Sequence, residues 1–209
     1  MSVVEPGSAG PSLLGRVSAI LMRPNETWDL IDAETTQVPD LYKTYVAPLA
    51  AIPAVCGAVS LLGLGGIQLF GVHLRPSFTG AITEMVVNYV LTLVGVYVLA
   101  LVIDELAPRF GAARGRTQAF KLAAYSGTAW WVAGFFRLLP GVGGVFMLLG
   151  GLYTLYLMYL GLPKLMKVED DRTMPYLAVS LAVTLLLTLL ISLLSSCFTN
   201  IGGPLSIDT

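Results

Sequence analysis

The chain has 209 residues, of which 56% are hydrophobic and 12% are charged, and its mean hydropathy is +0.78. These values exclude an ordinary water-soluble domain and indicate a polytopic membrane protein. The formal net charge of −1 argues against a nucleic-acid partner, because neutralising phosphates requires a basic face that this composition does not supply.

The N-terminal 43 residues divide into two parts by composition. Residues 1–11 are small, polar and rich in Gly, Ser and Pro, so we expect a disordered tail without a cleaved signal. Residues 12–43 carry apolar side chains at helical spacing, interrupted by Pro24, which predicts a cytoplasmic amphipathic segment at the membrane interface. The candidates for a surface that meets lipid or a protein partner are Arg16, Arg23, Trp28, Asp40 and Tyr42.

Five carboxylates of this segment raise the question of a metal site. They are Glu26, Asp29, Asp32, Glu34 and Asp40. No histidine and no loop with calcium-type spacing accompanies them, so a solvated face of an interfacial helix is the preferred interpretation. His73, Cys56 and Cys197 also lack neighbours of metal-ligand type in the sequence. We therefore predict no metal and no cofactor.

Five apolar runs follow, each close to the roughly 20 residues that a helix needs to cross a bilayer. The first two cover about residues 44–70 and 80–103. The third and fourth form a hairpin from Lys121 to Lys167, joined through residues 138–144 and with its second arm ending near Leu162, and the fifth covers about residues 175–198. The sequence thus predicts an all-α protein with a five-transmembrane-helix bundle over residues 44–198 and a polar tail over 199–209.

The basic residues predict the orientation of this bundle. With the N-terminus inside, only Arg75 and Arg137 of the 12 Lys and Arg residues fall in outer segments. Cytoplasmic loops of membrane proteins carry the excess of Lys and Arg. We therefore expect a protein of the cell (inner) membrane with its N-terminus in the cytoplasm and its C-terminus outside.

Polar side chains inside the second run form one stripe. Glu84, Asn88 and Thr92 follow one another at four-residue spacing and share a helical face. An acid inside a span usually faces protein or water, and Arg137 is predicted at the same outer boundary. A cross-helix ion pair between Glu84 and Arg137 is one interpretation. In the equally supported alternative, Arg137 reaches the outer headgroups and Glu84 meets water.

A second polar stripe follows the last run, where hydroxyl side chains repeat every four residues. It includes Ser180, Thr184 and Thr188. Hydroxyls can bond to carbonyls of their own helix and allow close helix packing, so packing is preferred to pore lining.

Short motifs spread over most of the chain resemble those of a known family. They are Ala124-Tyr125-Ser126, residues 131–134 (WVAG), Leu139-Pro140-Gly141, Leu155-Tyr156 and residues 159–166 (YLGLPKLM). In this pattern the chain resembles the bacterial branch of the Yip1 domain family, which implies five spans and a cytoplasmic N-terminus. Eukaryotic members, which bind small prenylated GTPases, have Asp-Leu-Tyr-Gly-Pro before the first span. Residues 40–44 read DLYKT here, so that activity is not carried over.

Two functions of different classes fit these patterns, and neither is enzymatic, because no nucleophile elbow, zinc-protease pair or phosphate loop is present. The preferred hypothesis is a membrane-organising scaffold that binds lipid, a protein partner at its cytoplasmic face, or further copies of itself. The alternative is a transporter or channel for a small solute or ion, with a polar path through Glu84, Asn88, Thr92 and the hydroxyl stripe of the last helix. Convergence of these side chains on one hydrated cavity would favour transport.

Overall fold

The computed structural model describes residues 12–63, 67–69, 72–74, 77–139 and 142–201. The α-helices in these residues are α1 (Leu13–Met22), α2 (Pro24–Ala33), α3 (Val38–Leu41), α4 (Ala47–Gly63), α5 (Phe78–Leu106), α6 (Arg116–Ser126), α7 (Thr128–Ala133), α8 (Gly143–Met166) and α9 (Asp170–Ile201). The strands β1 (Ile67–Leu69) and β2 (Val72–Leu74) form a short antiparallel hairpin. The tail predicted at residues 1–11, and residues 202–209 of the C-terminal tail, lie outside the described chain.

The two N-terminal helices begin and end where local chemistry requires. The Ser12 hydroxyl accepts a hydrogen bond from the Gly15 amide at 3.2 Å, which caps α1. Pro24 cannot donate a backbone hydrogen bond, so it ends α1 and occupies the first turn of α2, where no donor is needed. The predicted break at Pro24 is therefore present in the structure.

Within the described residues, three helical segments are long and apolar enough to cross a membrane. They are Val38–Gly63, which joins α3, a π-helical turn (Tyr42–Val46) and α4; Phe78–Phe110, which is α5 with a 3₁₀ turn; and Gly143–Met166, which is α8. The helix α9 has 32 residues. The predicted all-α architecture with membrane-length apolar helices is confirmed at this level.

Two of the predicted runs differ from the observed helices. The first run was expected to continue to Phe70, but α4 ends at Gly63 and the chain then pairs as strands. The third run is not one continuous helix, because α6 ends at Ser126 and is followed by α7 and a 3₁₀ segment, Gly134–Leu138. At this break the Thr128 hydroxyl donates a hydrogen bond to the Tyr125 carbonyl at 2.7 Å, which helps to satisfy the end of α6.

The densely packed core lies at one end of the bundle, which we call the capped end. The helix α2 packs on the C-terminal part of α8 and is bound to α6, and α1 packs beside α2 and α7. The largest side chains that are fully buried there are Trp28, Tyr176, Phe120, Ile20, Ile31, Ile103, Leu122, Leu157, Leu162 and Met166. The capped end therefore has the packing of a soluble domain, although the chain is highly apolar.

The opposite part of the bundle carries exposed apolar side chains, which we call the apolar belt. It includes Val55, Val59, Ile82, Val86, Val90, Val94, Leu148, Leu149, Leu152, Leu185, Leu186 and Leu189. On α5 and α8 the last exposed large apolar side chains towards the capped end are Tyr97 and Tyr156, and Trp130 of α7 is a third exposed aromatic residue. Tyr and Trp are enriched where a membrane meets water, so this ring of aromatics indicates one membrane boundary.

Candidate functional site

A polar cleft opens between α4, α5 and the 3₁₀ segment, away from the capped end. Glu84 and Asn88, one turn apart on α5, line it together with Arg137. Small or apolar side chains complete the walls: Ala54, Gly57, Ala58, Leu61, Ala81 and Met85. The cleft encloses about 190 Å³ of empty space, much of it open to the surroundings, and its interior accommodates about one water molecule.

Arg137 is held in this cleft by close contacts with α4. Its guanidinium donates a hydrogen bond to the Pro53 carbonyl at 3.3 Å. The same group packs against the backbone of Gly57, where an added Cβ would lie 2.9 Å from Nη1. Gly57 therefore makes room for the cation, and Pro53 supplies an acceptor for it.

The structure brings together three of the predicted intramembrane site residues and separates others. Glu84, Asn88 and Arg137 share the cleft, but the Glu84 carboxylate and the Arg137 guanidinium form no ion pair among the described contacts. Thr92 is not part of the cleft lining. Ser180 is fully buried elsewhere, on α9, and the side chains of Thr184 and Thr188 lie outside what the structure describes. A single cavity lined by both polar stripes is therefore not seen in the described part.

At the capped end, the predicted partner surface is partly internal. Trp28 is 0% exposed and meets Tyr125 edge to face at 6.3 Å between ring centroids. Arg16 is buried, and Tyr42 donates to the Leu93 carbonyl while its ring stacks on Phe120. The expectation that Arg16 and Trp28 face lipid or a partner is thus corrected, because both side chains are buried, whereas Tyr42 is half-buried and packs against the core. Arg23 and Asp40 do remain exposed.

Two of the three acidic side chains of α2, Asp29 and Asp32, pair with basic residues at the end of α8. Lys164 lies 2.7 Å from the Asp29 carboxylate and also donates to the Asn25 carbonyl at 2.7 Å. Lys167 lies 2.5 Å from the Asp32 carboxylate. Among the described residues, no three His, Cys, Asp or Glu side chains come together as metal ligands would. The sequence signal for this docking was complementary charge, because α2 is acidic and the end of α8 is basic.

Glu34, which follows α2, is bound by two cationic side chains, those of Arg16 and Lys121. Its carboxylate pairs with Arg16 of α1, and its backbone carbonyl accepts from Lys121 Nζ at 2.5 Å. Lys121 also donates to the Ile31 carbonyl at 2.8 Å and is 2% exposed. Burial lowers the pKa of Lys121 from its ordinary value, and the charges of Glu34 and Asp32 oppose that shift. These bonds hold the N-terminal helices to α6.

The comparisons with known proteins agree with this membrane architecture. The Yip1 domain matches residues 18–193 of the chain. The chain belongs to the Yip1 domain family. Two similar proteins, both called inner membrane protein YohC, come from Escherichia coli strains K12 and O6:H1 and are each 26% identical over 171 residues, which is 80% of this chain and 87% of theirs. No solved structure matches the chain.

Membership of the Yip1 domain family confirms the resemblance seen in the sequence, and it places the apolar helices in a membrane. The family match begins at Ser18 within α1 and ends at Leu193 within α9. It therefore covers both the polar cleft and most of the capped end, including the docked helix α2. Both sites consequently belong to the Yip1 domain rather than to an appendage of it.

Proposed function

We propose that this Yip1-family protein is a non-enzymatic scaffold of the cell (inner) membrane that organises lipid or holds a protein partner at its cytoplasmic face. The proposal includes five spans, with the N-terminus in the cytoplasm and the C-terminus outside. Three spans are the membrane-length segments ending at Gly63, Phe110 and Met166. The other two are the broken segment after Lys121 and the helix α9.

The observation that carries the proposal is the closely packed core at the capped end. Trp28, Phe120 and Leu122 are among the fully buried side chains that fill the region between the polar cleft and that end. A transporter requires a polar path that can be opened from both sides, whereas well-packed interiors resist such rearrangement. The cleft near Glu84 has room for about one water molecule, which does not amount to a path.

The orientation rests on the positions of the basic side chains. The capped end carries Lys121, Lys164 and Lys167, which bind the N-terminal helices. Arg109, Arg114 and Arg116 lie beyond the end of α5 on the same side. Because basic residues concentrate in cytoplasmic loops, we assign the capped end to the cytoplasm. The exposed side chains of Arg23 and Asp40 then face the cytoplasm. They offer a partner one positive and one negative charge.

The partner surface is tested by photo-crosslinking in native membranes. A photoreactive amino acid is placed at Arg23 or Asp40, and a matched control carries it at Val86 in the apolar belt. A scaffold should give discrete adducts, with a protein partner or a second copy of the chain, at Arg23 and Asp40 but not at Val86. The same adducts should persist in Glu84→Gln. Adducts absent from both positions, with membrane properties unchanged on deletion, would count against the scaffold.

The transporter alternative is tested with purified protein in lipid vesicles. Flux of protons, cations and small solutes is measured for the wild type, Glu84→Gln and empty vesicles. The proposed scaffold should leave the flux at the level of empty vesicles. Flux that Glu84→Gln abolishes would instead assign transport to the polar cleft, because neutralising the carboxylate removes its charge without changing its shape.

A further inference from the structure

The helix α1 has an outward surface without charge. Leu14 and Met22 are 79% and 81% exposed, and Ser18 lies exposed between them. Arg16 is the charged residue of α1, and it turns inward to pair with Glu34, so that its side chain is 8% exposed. Its guanidinium also lies over the Tyr125 ring, 5.9 Å from the centroid. The cation is thereby removed from the surface of the helix.

The contacts of α1 show at which level of the bundle it lies. Its Leu21 carbonyl accepts a hydrogen bond from the Tyr153 hydroxyl at 2.7 Å. Tyr153 lies roughly 20 Å from the capped end of α8, at 1.5 Å per residue. The Tyr153 ring is 5.5 Å from the ring of Tyr156, one of the exposed aromatics at the edge of the apolar belt. Met22, which follows Leu21, therefore lies at the level of the membrane boundary.

The helix α2 has a different exposed surface. Its exposed side chains are Asn25, Glu26, Asp29, Leu30 and Ala33, so three of the five are polar or charged. Two of these residues bind Lys164, whose ammonium meets the Asp29 carboxylate and the Asn25 carbonyl. Charged groups at this density are unfavourable among acyl chains, so α2 belongs on the water side of the boundary.

We propose that α1 is embedded where the acyl chains meet the headgroups of the leaflet on the capped side, with Leu14, Ser18 and Met22 in contact with lipid. The 10 residues of α1 make about 15 Å of helix, so it lies in one leaflet and does not span. Lipid, rather than a second copy of the chain, contacts this outward surface, because the surface is apolar and lies at the same level as the edge of the apolar belt. The inference goes beyond the scaffold role and does not depend on it.

Spin labels measure this depth directly. After Cys56 and Cys197 are replaced by serine, single cysteines are labelled at positions 14, 18 and 22 of α1 and, as matched controls, at positions 26 and 29 of α2. The full-length protein is placed in vesicles of phosphatidylethanolamine and phosphatidylglycerol. Collisions with oxygen, which concentrates in acyl chains, are compared with collisions with a water-soluble nickel complex. Each labelled variant must first match the wild type in size-exclusion chromatography.

Labels on α1 should have an oxygen-to-nickel collision ratio several-fold higher than labels on α2. An equal ratio on the two helices would overturn the proposal, and it would leave α1 on the water side. Protection of positions 14, 18 and 22 from both reagents would also overturn it, in favour of a second copy or another protein on this surface. Position 18 keeps the test decisive if labels at Leu14 or Met22 impair folding, because Ser18 is exposed and makes a local hydrogen bond to the Gly15 carbonyl.

Discussion

The indole of Trp28 packs directly on the backbone of Gly161. This contact joins the N-terminal segment to the middle of the YLGLPKLM motif. A Cβ at position 161 would lie 2.8 Å from the ring carbons Cε2 and Cζ2 of Trp28 and 2.7 Å from Leu122 Cδ1. The helices α2, α6 and α8 therefore meet at this glycine. A residue without a side chain is required here because the indole occupies its space.

The first prediction concerns this contact. Gly161→Ala should destabilise the protein by about 1–3 kcal/mol, because the added methyl group overpacks a site that is bounded by a rigid ring. The measurement is thermal or chemical unfolding in detergent, followed by tryptophan fluorescence. Gly144→Ala in the same helix is the matched control, since a Cβ there meets nothing within 4 Å. Equal stability of the two variants would show that Trp28 is not seated on Gly161.

A second prediction concerns the ion pair that removes the charge from α1. Arg16→Met should cost about 1–3 kcal/mol, because the Glu34 carboxylate loses its partner in a site where Arg16 is almost fully buried. Arg23→Met should change stability by less than about 0.5 kcal/mol, since Arg23 and its partner Glu26 are 75% and 74% exposed. Unfolding in detergent measures both.

The double variant Arg16→Met, Glu34→Gln separates a lost pair from lost packing. It should regain part of the stability of Arg16→Met, because no unpaired carboxylate remains. Failure to regain any would assign the loss to the contact of the Arg16 side chain with the Tyr125 ring. In that case the ion pair with Glu34 would contribute nothing measurable.

The apolar runs made much of this fold predictable. Length and hydropathy are enough to identify a membrane-length helix, and α5 and α8 lie where the sequence predicts them. The break at Gly127 was not predictable in the same way, because it depends on the Thr128 hydroxyl meeting two groups, one of them Tyr45 on another segment. Hydropathy averages over such a break, since both halves remain apolar.

The candidate sites were predictable to different degrees. Glu84 and Asn88 were paired by helical spacing, and an acid in an apolar run is rare enough to be noticed. The burial of Trp28 was missed, because an isolated tryptophan beside charged residues is typical of a membrane interface as well as of a core. Its partners, Gly161 and Tyr125, are far away in the sequence. A single sequence carries no signal for such long-range contacts.

A third prediction compares Gly134 of the 3₁₀ segment with Gly57 of α4, two glycines at the contact between these elements. Gly134→Ala should be strongly destabilising, because its Cβ would lie 2.5 Å from Pro53 Cβ and 2.9 Å from Pro53 Cα, and backbone cannot move aside cheaply. Gly57→Ala should cost less, since the group it meets is the end of the flexible Arg137 side chain. The quantity to compare is the midpoint of thermal unfolding in detergent. A larger loss for Gly57→Ala would mean that Arg137 is rigidly held.

The last prediction concerns the hydroxyl pair at the helix break. Thr128 donates to the Tyr125 carbonyl, so the Tyr45 hydroxyl must donate to Thr128 Oγ1, at 2.7 Å. Thr128→Val should cost about 1–3 kcal/mol, because it leaves the buried Tyr45 hydroxyl without an acceptor. Adding Tyr45→Phe should then cost little more, since the orphaned hydroxyl is removed as well.

The control for this cycle is Thr154→Val in α8, whose hydroxyl bonds to the Gly150 carbonyl of its own helix. It should cost less than Thr128→Val, because no second side chain loses a partner. Free energies of unfolding for the wild type, Thr128→Val, Tyr45→Phe and the double variant give the coupling between Tyr45 and Thr128. Strictly additive losses would mean that the two hydroxyls do not bond, and the break at Gly127 would then be held by the Tyr125 carbonyl contact alone.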